Sequence, residues 1–324
     1  MNNMELKNKL QLPVIGAPLF IVSNPKLVIE QCKAGIVGSF PALNARPKEL
    51  LDDWLIEIKE ELEKYNNANP DKPAAPFAIN QIVHKTNDRI EHDMELTVKH
   101  KVPVVITSLG ARPEVYDAVH SYGGLVLHDI INNFFAKKAI EKGADGLIAV
   151  GSGAGGHAGT LSPFALVREV REFFDGPLAL SGSISEGSSV LSALALGADF
   201  AYVGTKFIAT EEANASPGYK QMIIDSTADD IMYSATFTGV NGNYLRPSVE
   251  AAGLNPDEHM SGSKDDMNFS TSAIAKKDNS SKAWKDIWGS GQGIGSIKNA
   301  PSVEDAVNQM VSEYDDAKSR LESF

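Results

Sequence analysis

Short apolar runs recur through the first two-thirds of the chain, at 14–17, 36–40, 77–80, 102–107, 125–127, 146–150, 178–181 and 200–203. Longer amphipathic stretches separate them, at about 25–33, 47–65, 86–99, 113–121, 132–142, 162–174 and 186–196. Runs this short and apolar predict strands buried on both faces, and helical connections of that length make such strands parallel. Eight α/β units in roughly 200 residues suit a closed (β/α)8 barrel, with a doubly wound open sheet as the competitor. Two near-repeats favour the ring: Gly143-Ala144-Asp145-Gly146 and Gly197-Ala198-Asp199-Phe200 each stop a helix at glycine and turn into a strand.

The rhythm stops after Thr210. The expectation is a barrel core over 1–210 and a C-terminal, mostly helical or irregular appendage over 211–300 that covers the substrate. The appendage is richest in Ser, Asn, Asp and Gly over 257–281. A closing helix of the same domain is expected within 301–324, at about 302–321.

The 324 residues carry a formal charge of −12, which argues against nucleic acid or an anionic membrane surface as partner. No eighteen apolar residues run together, and the first twelve residues are polar, so neither a span nor a signal peptide is expected. Cys32 is the only cysteine, which excludes an internal disulfide; a cytoplasmic setting follows as the expectation, with Cys32 a packed, inert thiol. A homodimer is left open.

In a (β/α)8 barrel the ligand site lies at the strand C-termini. Small and polar residues collect there: Gly16-Ala17-Pro18-Leu19, Asn80, Ser108, His128-Asp129, Ser181-Gly182-Ser183 and Gly204-Thr205. After the sixth strand comes Gly151-Ser152-Gly153-Ala154-Gly155-Gly156-His157-Ala158-Gly159, a bare backbone around one titratable imidazole. The turns after strands seven and eight, Ser181-Gly182-Ser183 and Gly204-Thr205, stand where barrels hold a phosphate through amides and hydroxyls. The loop at 151–159 also fits G-x-G-x-x-G, but His157 to Ser162 intervene before Pro163 starts a helix, and the unit is the sixth strand, not the first of a βαβ pair.

His84, His92, His100, His120 and His259 lack metal-ligand spacing and read as solvated surface residues. His128-Asp129 stands at a strand end, where it contacts a ligand or ties a loop. The glycine-rich stretch 284–295 around Gln292 reads either as backbone in close approach or as a flexible lead-in to the last helix.

Taken in order, these pieces resemble the nitronate monooxygenase family, formerly the 2-nitropropane dioxygenases. The matching segments are Pro13 to Leu19, Asn80, Ala154 to Gly159, Ser181 to Ile184, Gly197 to Phe207 and Gly291-Gln292-Gly293. The resemblance implies an FMN-binding TIM barrel. Ala17, Pro18 and Leu19 would line the isoalloxazine, and Asn80 would hydrogen-bond it. Ser181, Gly182, Ser183, Gly204 and Thr205 would hold the phosphate. Gly155 and Gly156 would pass close to the ring, His157 would be the catalytic base, and Gln292 would lie in a segment closing over it; His128, from its strand-end position, is expected as a further cofactor contact. The implied reaction oxidises a nitronate or nitroalkane with O2 to a carbonyl compound and nitrite. An NAD(P)H-dependent FMN reductase of the enoyl-acyl-carrier-protein or quinone type is the alternative on the same barrel, and a non-catalytic phosphate-ligand sensor is the rival of another class. Two departures bear on the redox chemistry. Leu19 stands where the family commonly has methionine, and a lysine common near position 129 is missing. Ser183 replaces a frequent second glycine.

Overall fold

The computed structural model describes residues 2–237, 240–257, 269–271 and 287–323. Eight parallel strands form one sheet: β1 (Val14–Gly16), β2 (Gly38–Pro41), β3 (Phe77–Ile82), β4 (Val104–Ser108), β5 (Leu125–Ile130), β6 (Gly146–Val150), β8 (Leu178–Ser181) and β9 (Phe200–Val203). Their order is β1-β9-β8-β6-β5-β4-β3-β2, and a parallel bridge between Ile15 and Val37 joins β1 to β2. The open sheet is thereby excluded and the barrel is the fold.

Alternation along each strand separates two apolar layers. Ile15, Val37, Ala78, Ile106, Leu127, Ile148, Ala179 and Phe200 fill the barrel interior. Their neighbours, such as Val14, Ile79, Val105, Val126, Ala149 and Leu180, face out against the helices. A short helix, Asn3–Lys7, which the sequence pattern does not announce, sends Leu6 into the interior cluster and plugs its N-terminal end.

The αβ turns repeat as expected. Asp145 Oδ2 accepts from the Val126 amide at 2.7 Å while the Asp145 amide donates back to Val126 O. Asp199 Oδ2 accepts from the Leu178 amide at 2.9 Å, with the same return bond. Each aspartate thus latches the strand it enters to the start of its neighbour.

The structure adds short strands to the mostly helical or irregular segment expected over 211–300. Beyond a helix at Pro217–Asp225, the strands β10 (Ile231–Ser234) and β11 (Gly242–Leu245) pair antiparallel, and β11 pairs with β7 (Gly156–His157). The strands are short, β10 partly exposed along its length and β11 buried throughout, so neither alternates with period 2, and their partner lies far back in the chain. Positions 258–268 and 272–286, including His259 and the start of the 284–295 segment, lie outside the described residues. The closing helix forms at Val303–Glu322 and packs on the helix Gly187–Leu196, where Glu313 accepts from the Gly187 amide at 2.8 Å.

The histidines also differ from expectation. His100 is buried with its ring bonded to Asp52, and His92 and His120 lie 2.9 Å from Asp93 and Asp145. His100 and His120 thus tie helices to their surroundings, and His92 pairs with its neighbour on the same helix. Among the described residues no helix is long and apolar enough to cross a membrane.

Candidate active site at the barrel mouth

Above the apolar interior the next inward position on each strand changes character. Following Ala78, Ile106, Leu127, Ile148, Ala179 and Phe200 two residues on gives Asn80, Ser108, Asp129, Val150, Ser181 and Tyr202. Buried hydrocarbon gives way to a floor of polar groups at the C-terminal end of a plugged barrel. Asn80 Nδ2 donates to Ser108 Oγ at 2.8 Å and to Ile106 O at 3.2 Å. The Ser108 hydroxyl and the Leu109 amide in turn donate to the Asp129 carboxyl, yet burial outweighs them and pushes it up to about 6. Leu109 presents its amide from a left-handed backbone, φ 61°. The Tyr202 phenol is pushed well above its ordinary value by burial and, secondarily, by the charge of Asp129.

His128 takes the other direction. It alternates with Asp129, so it faces out with Val126 towards the helix Pro113–His120. The Thr107 and Tyr116 hydroxyls lie 2.7 and 3.0 Å from its Nδ1. Burial, with Lys142 nearby, pushes it down to about 4. The expectation that His128 contacts a cofactor therefore gives way to a role in tying β5 to β4 and its helix; Asp129 is the half of the pair that faces the mouth.

The loop after β1 carries Ala17, Pro18 and Leu19 along one side of the mouth. The Ala17 amide donates to Val203 O at 2.8 Å, and Asn44 Nδ2 donates to Leu19 O at 2.9 Å and Ser23 O at 2.8 Å. Gly204 adjoins this loop: a Cβ built there would lie 3.4 Å from Leu19 Cδ2 and 3.6 Å from the Ala17 Cβ. Phosphate-side candidates gather next to it, because β8 and β9 are neighbours. Gly153 O accepts from the Ser183 and Gln292 amides, and Thr205 Oγ1 accepts from the Gly291 amide at 2.9 Å. Ser181, Gly182, Ser183, Gly204, Thr205 and Gln292 thus surround one small region. Its donors are hydroxyls and amides, with Lys206 turned towards Gln309 on the closing helix.

Close approach explains the second glycine-rich segment. A Cβ at Gly291 would lie 2.7 Å from Gly153 O, and one at Gly155 would lie 2.8 Å from the Gly291 amide nitrogen. The 289–293 backbone is therefore laid directly on the 151–156 loop. The flexible lead-in is excluded for that stretch. Gly156 is different: it has φ +66° and nothing within 4 Å of the position a Cβ would take. Asn243 on β11, which sequence reasoning missed because no local pattern marks it, clamps the loop by donating to Ala154 O at 2.6 Å. Tyr233 on β10 donates to Ala158 O at 3.0 Å. His157 lies exposed on β7 between these two clamps.

The nitronate monooxygenase family model matches residues 3–313. The chain belongs to the nitronate monooxygenase family. A nitronate monooxygenase of Paraburkholderia phytofirmans is 26% identical over 286 residues, covering 75% of this chain and 76% of that protein. A Rhodococcus jostii protein, (3aS,4S,5R,7aS)-5-hydroxy-7a-methyl-1-oxo-octahydro-1H-indene-4-carboxyl-CoA dehydrogenase, is 23% identical over 355 residues, covering 97% of this chain and 95% of that one. Among solved structures, FabK of Thermotoga maritima superposes with a TM-score of 0.80 at 21% identity, covering 100% and 99% of the two chains. A nitroalkane oxidase of Streptomyces ansochromogenes gives 0.78 at 23% identity, covering 98% and 99%. The structural likenesses establish the barrel, and the family establishes an oxidoreductase. The family is generally flavin-dependent, and the hydroxyls and amides gathered around Ser183 and Thr205, with the open approach at Gly156, are compatible in chemistry with such a group. The residues present fit that group.

Proposed function

We propose that the protein is an FMN-dependent monooxygenase that oxidises nitronates or nitroalkanes with O2 to carbonyl compounds and nitrite. When bound, FMN supplies an electron acceptor that O2 can reoxidise. Ser181, Ser183 and Thr205, with the amides of Gly182 and Gly204, would hold its phosphate. Ala17, Pro18 and Leu19 would flank the ring, Asn80 would hydrogen-bond it from the floor, and Gly155, Gly156 and Gln292 would cover it. His157 would take the proton α to a nitro group, from a position that β7 and β11 keep fixed at the rim.

The single observation carrying this reading is the junction of an exposed His157 and an open Gly156 over the polar barrel floor. Two measurements test it. The purified protein should carry flavin absorption bands, and anaerobic mixing with a nitronate should bleach them; an unchanged spectrum would overturn the reading. His157→Ala should lower kcat/KM about 10²- to 10⁴-fold for neutral nitroalkanes and far less for preformed nitronates, which need no base. Equal losses on both would remove His157 from that role.

A second reading, an NAD(P)H-dependent FMN reductase, fits the likeness to FabK and to the relative named a dehydrogenase. That relative spans 97% of this chain, and a nitronate monooxygenase of Neurospora crassa spans 96%, so coverage alone does not separate the two readings. Rapid anaerobic bleaching by NADH or NADPH, with no response to nitronate, would select it.

A further inference from the structure

The barrel floor holds an acidic group that the proposed reaction leaves without a task. Asp129 ends the inward-facing series Leu125, Leu127, Asp129 on β5 and keeps part of its surface open to the mouth. Asn80 and Ser108, from the two preceding strands, form a hydrogen-bonded row that ends on its carboxyl. The described groups around it are neutral. Ser108 and the Leu109 amide come from β4 and its loop and the Tyr202 phenol from β9, while the Tyr116 phenol, beside His128 on the reverse face, senses its charge from behind β5. His128, on the reverse face of the same strand, is held neutral. Among the described residues no lysine, arginine or histidine is among the groups that set its ionisation. An anion at the barrel mouth, with no countercharge among the described residues, opposes the arrival of further negative charge.

We propose that Asp129 is a redox-linked proton acceptor for the bound cofactor. This rests on the flavin reading above. When a nitronate, NAD(P)H or an added reductant delivers two electrons, one proton goes to the ring and a second passes from bulk water to the Asp129 carboxylate. An O–H bond forms on the carboxyl, which offsets the added charge; on reoxidation by O2 that proton is released. The row from Asn80 through Ser108 holds the carboxyl in place and leaves its open side to the mouth. Asp129 is in this sense a positioning and charge-balancing residue.

The sign sets the pH window. The carboxyl is ionised, and able to take a proton, above about 6; below that it is already protonated and takes up none. The test is the pH dependence of the flavin midpoint potential in the purified holoprotein. Above about pH 7 the slope should correspond to two protons per two electrons in the wild type and to one in Asp129→Asn. Towards acid pH the two slopes should converge. Ser108→Ala, which removes a donor that favours the carboxylate, should move the convergence to higher pH while preserving the wild-type slope above it. Equal slopes for wild type and Asp129→Asn above pH 7 would overturn the proposal, as would an unshifted convergence in Ser108→Ala. A protein that purifies colourless and takes up no added FMN would instead overturn the flavin reading itself.

Discussion

His128 and Asp129 are adjacent in the chain and opposite in every physical respect. One faces helices and is pushed down to about 4; the other faces the mouth and is pushed up to about 6. Burial disfavours the charged form of each, and only Asp129 has an open side through which charge can matter. For His128 the consequence is stability. An unfolded histidine titrates near 6.5, so between about 4 and 6.5 the unfolded chain binds more protons than the folded one. Stability is therefore lost as pH falls through that window, by up to about 3 kcal/mol. Urea midpoints for wild type and His128→Gln should diverge least near pH 4 and most near neutrality; parallel curves would contradict the assignment. Cys32 gives a second check. Its thiol is buried and pushed up to about 12, so it should resist a thiol reagent in the native protein and react only after unfolding. The identity of both groups was plain in the sequence, and the direction of each followed from strand alternation once Leu125 and Leu127 were placed inward. What the sequence withheld was which end of the His-Asp pair the mouth would receive, because the register of β5 extends to Ile130, three residues past the apolar run.

Elements were legible where burial imposes a period. Strands covered on both faces stand out as apolar runs, and the Gly-Ala-Asp turns before β6 and β9 proved to be one latch used twice. The β10–β11 pair was not legible, since β10 is partly exposed and β11 buried with no alternation in either, and its stabilising partner is the glycine loop far back in the chain. The same non-locality hid the purpose of the glycines. The room at Gly155, and part of that at Gly153, is filled by the 289–293 segment, Gly151 and Gly159 are packed by other residues, and Gly156 has nothing within 4 Å. Gly291→Ala should therefore act like overpacking: the new methyl would meet Gly153 O at 2.7 Å and force two backbones apart. The expected cost is about 1–3 kcal/mol, read as a lowered urea midpoint, together with weaker retention of cofactor. Gly253→Ala makes the control, with nothing within 4 Å and only its φ of +79° to oppose it. If the two variants were equally stable, the close approach would not be what requires glycine at 291.

Across the whole molecule the barrel divides its tasks between two ends. At the C-terminal end the interior positions turn polar, at Asn80, Ser108 and Asp129. At the N-terminal end Leu6 fills the bore, and Lys7 fastens its helix to Asp199, which also holds Arg171 at 2.7 Å. The aspartate that latches β9 to β8 thus also anchors the plug, coupling closure of the ring to docking of the first helix. Function and stability should then separate by end, as the barrel architecture predicts. Leu6 is fully buried, so Leu6→Ala removes its methyl groups from a closed cavity and should cost about 2–5 kcal/mol in urea unfolding. Because the polar floor is fixed by its own strand ends and loops, the same variant should keep the wild-type cofactor affinity and pH-dependent midpoint wherever it remains folded. A loss of cofactor affinity in the folded Leu6→Ala protein would show that the plug shapes the mouth through the interior layer, and the division between the two ends would fail.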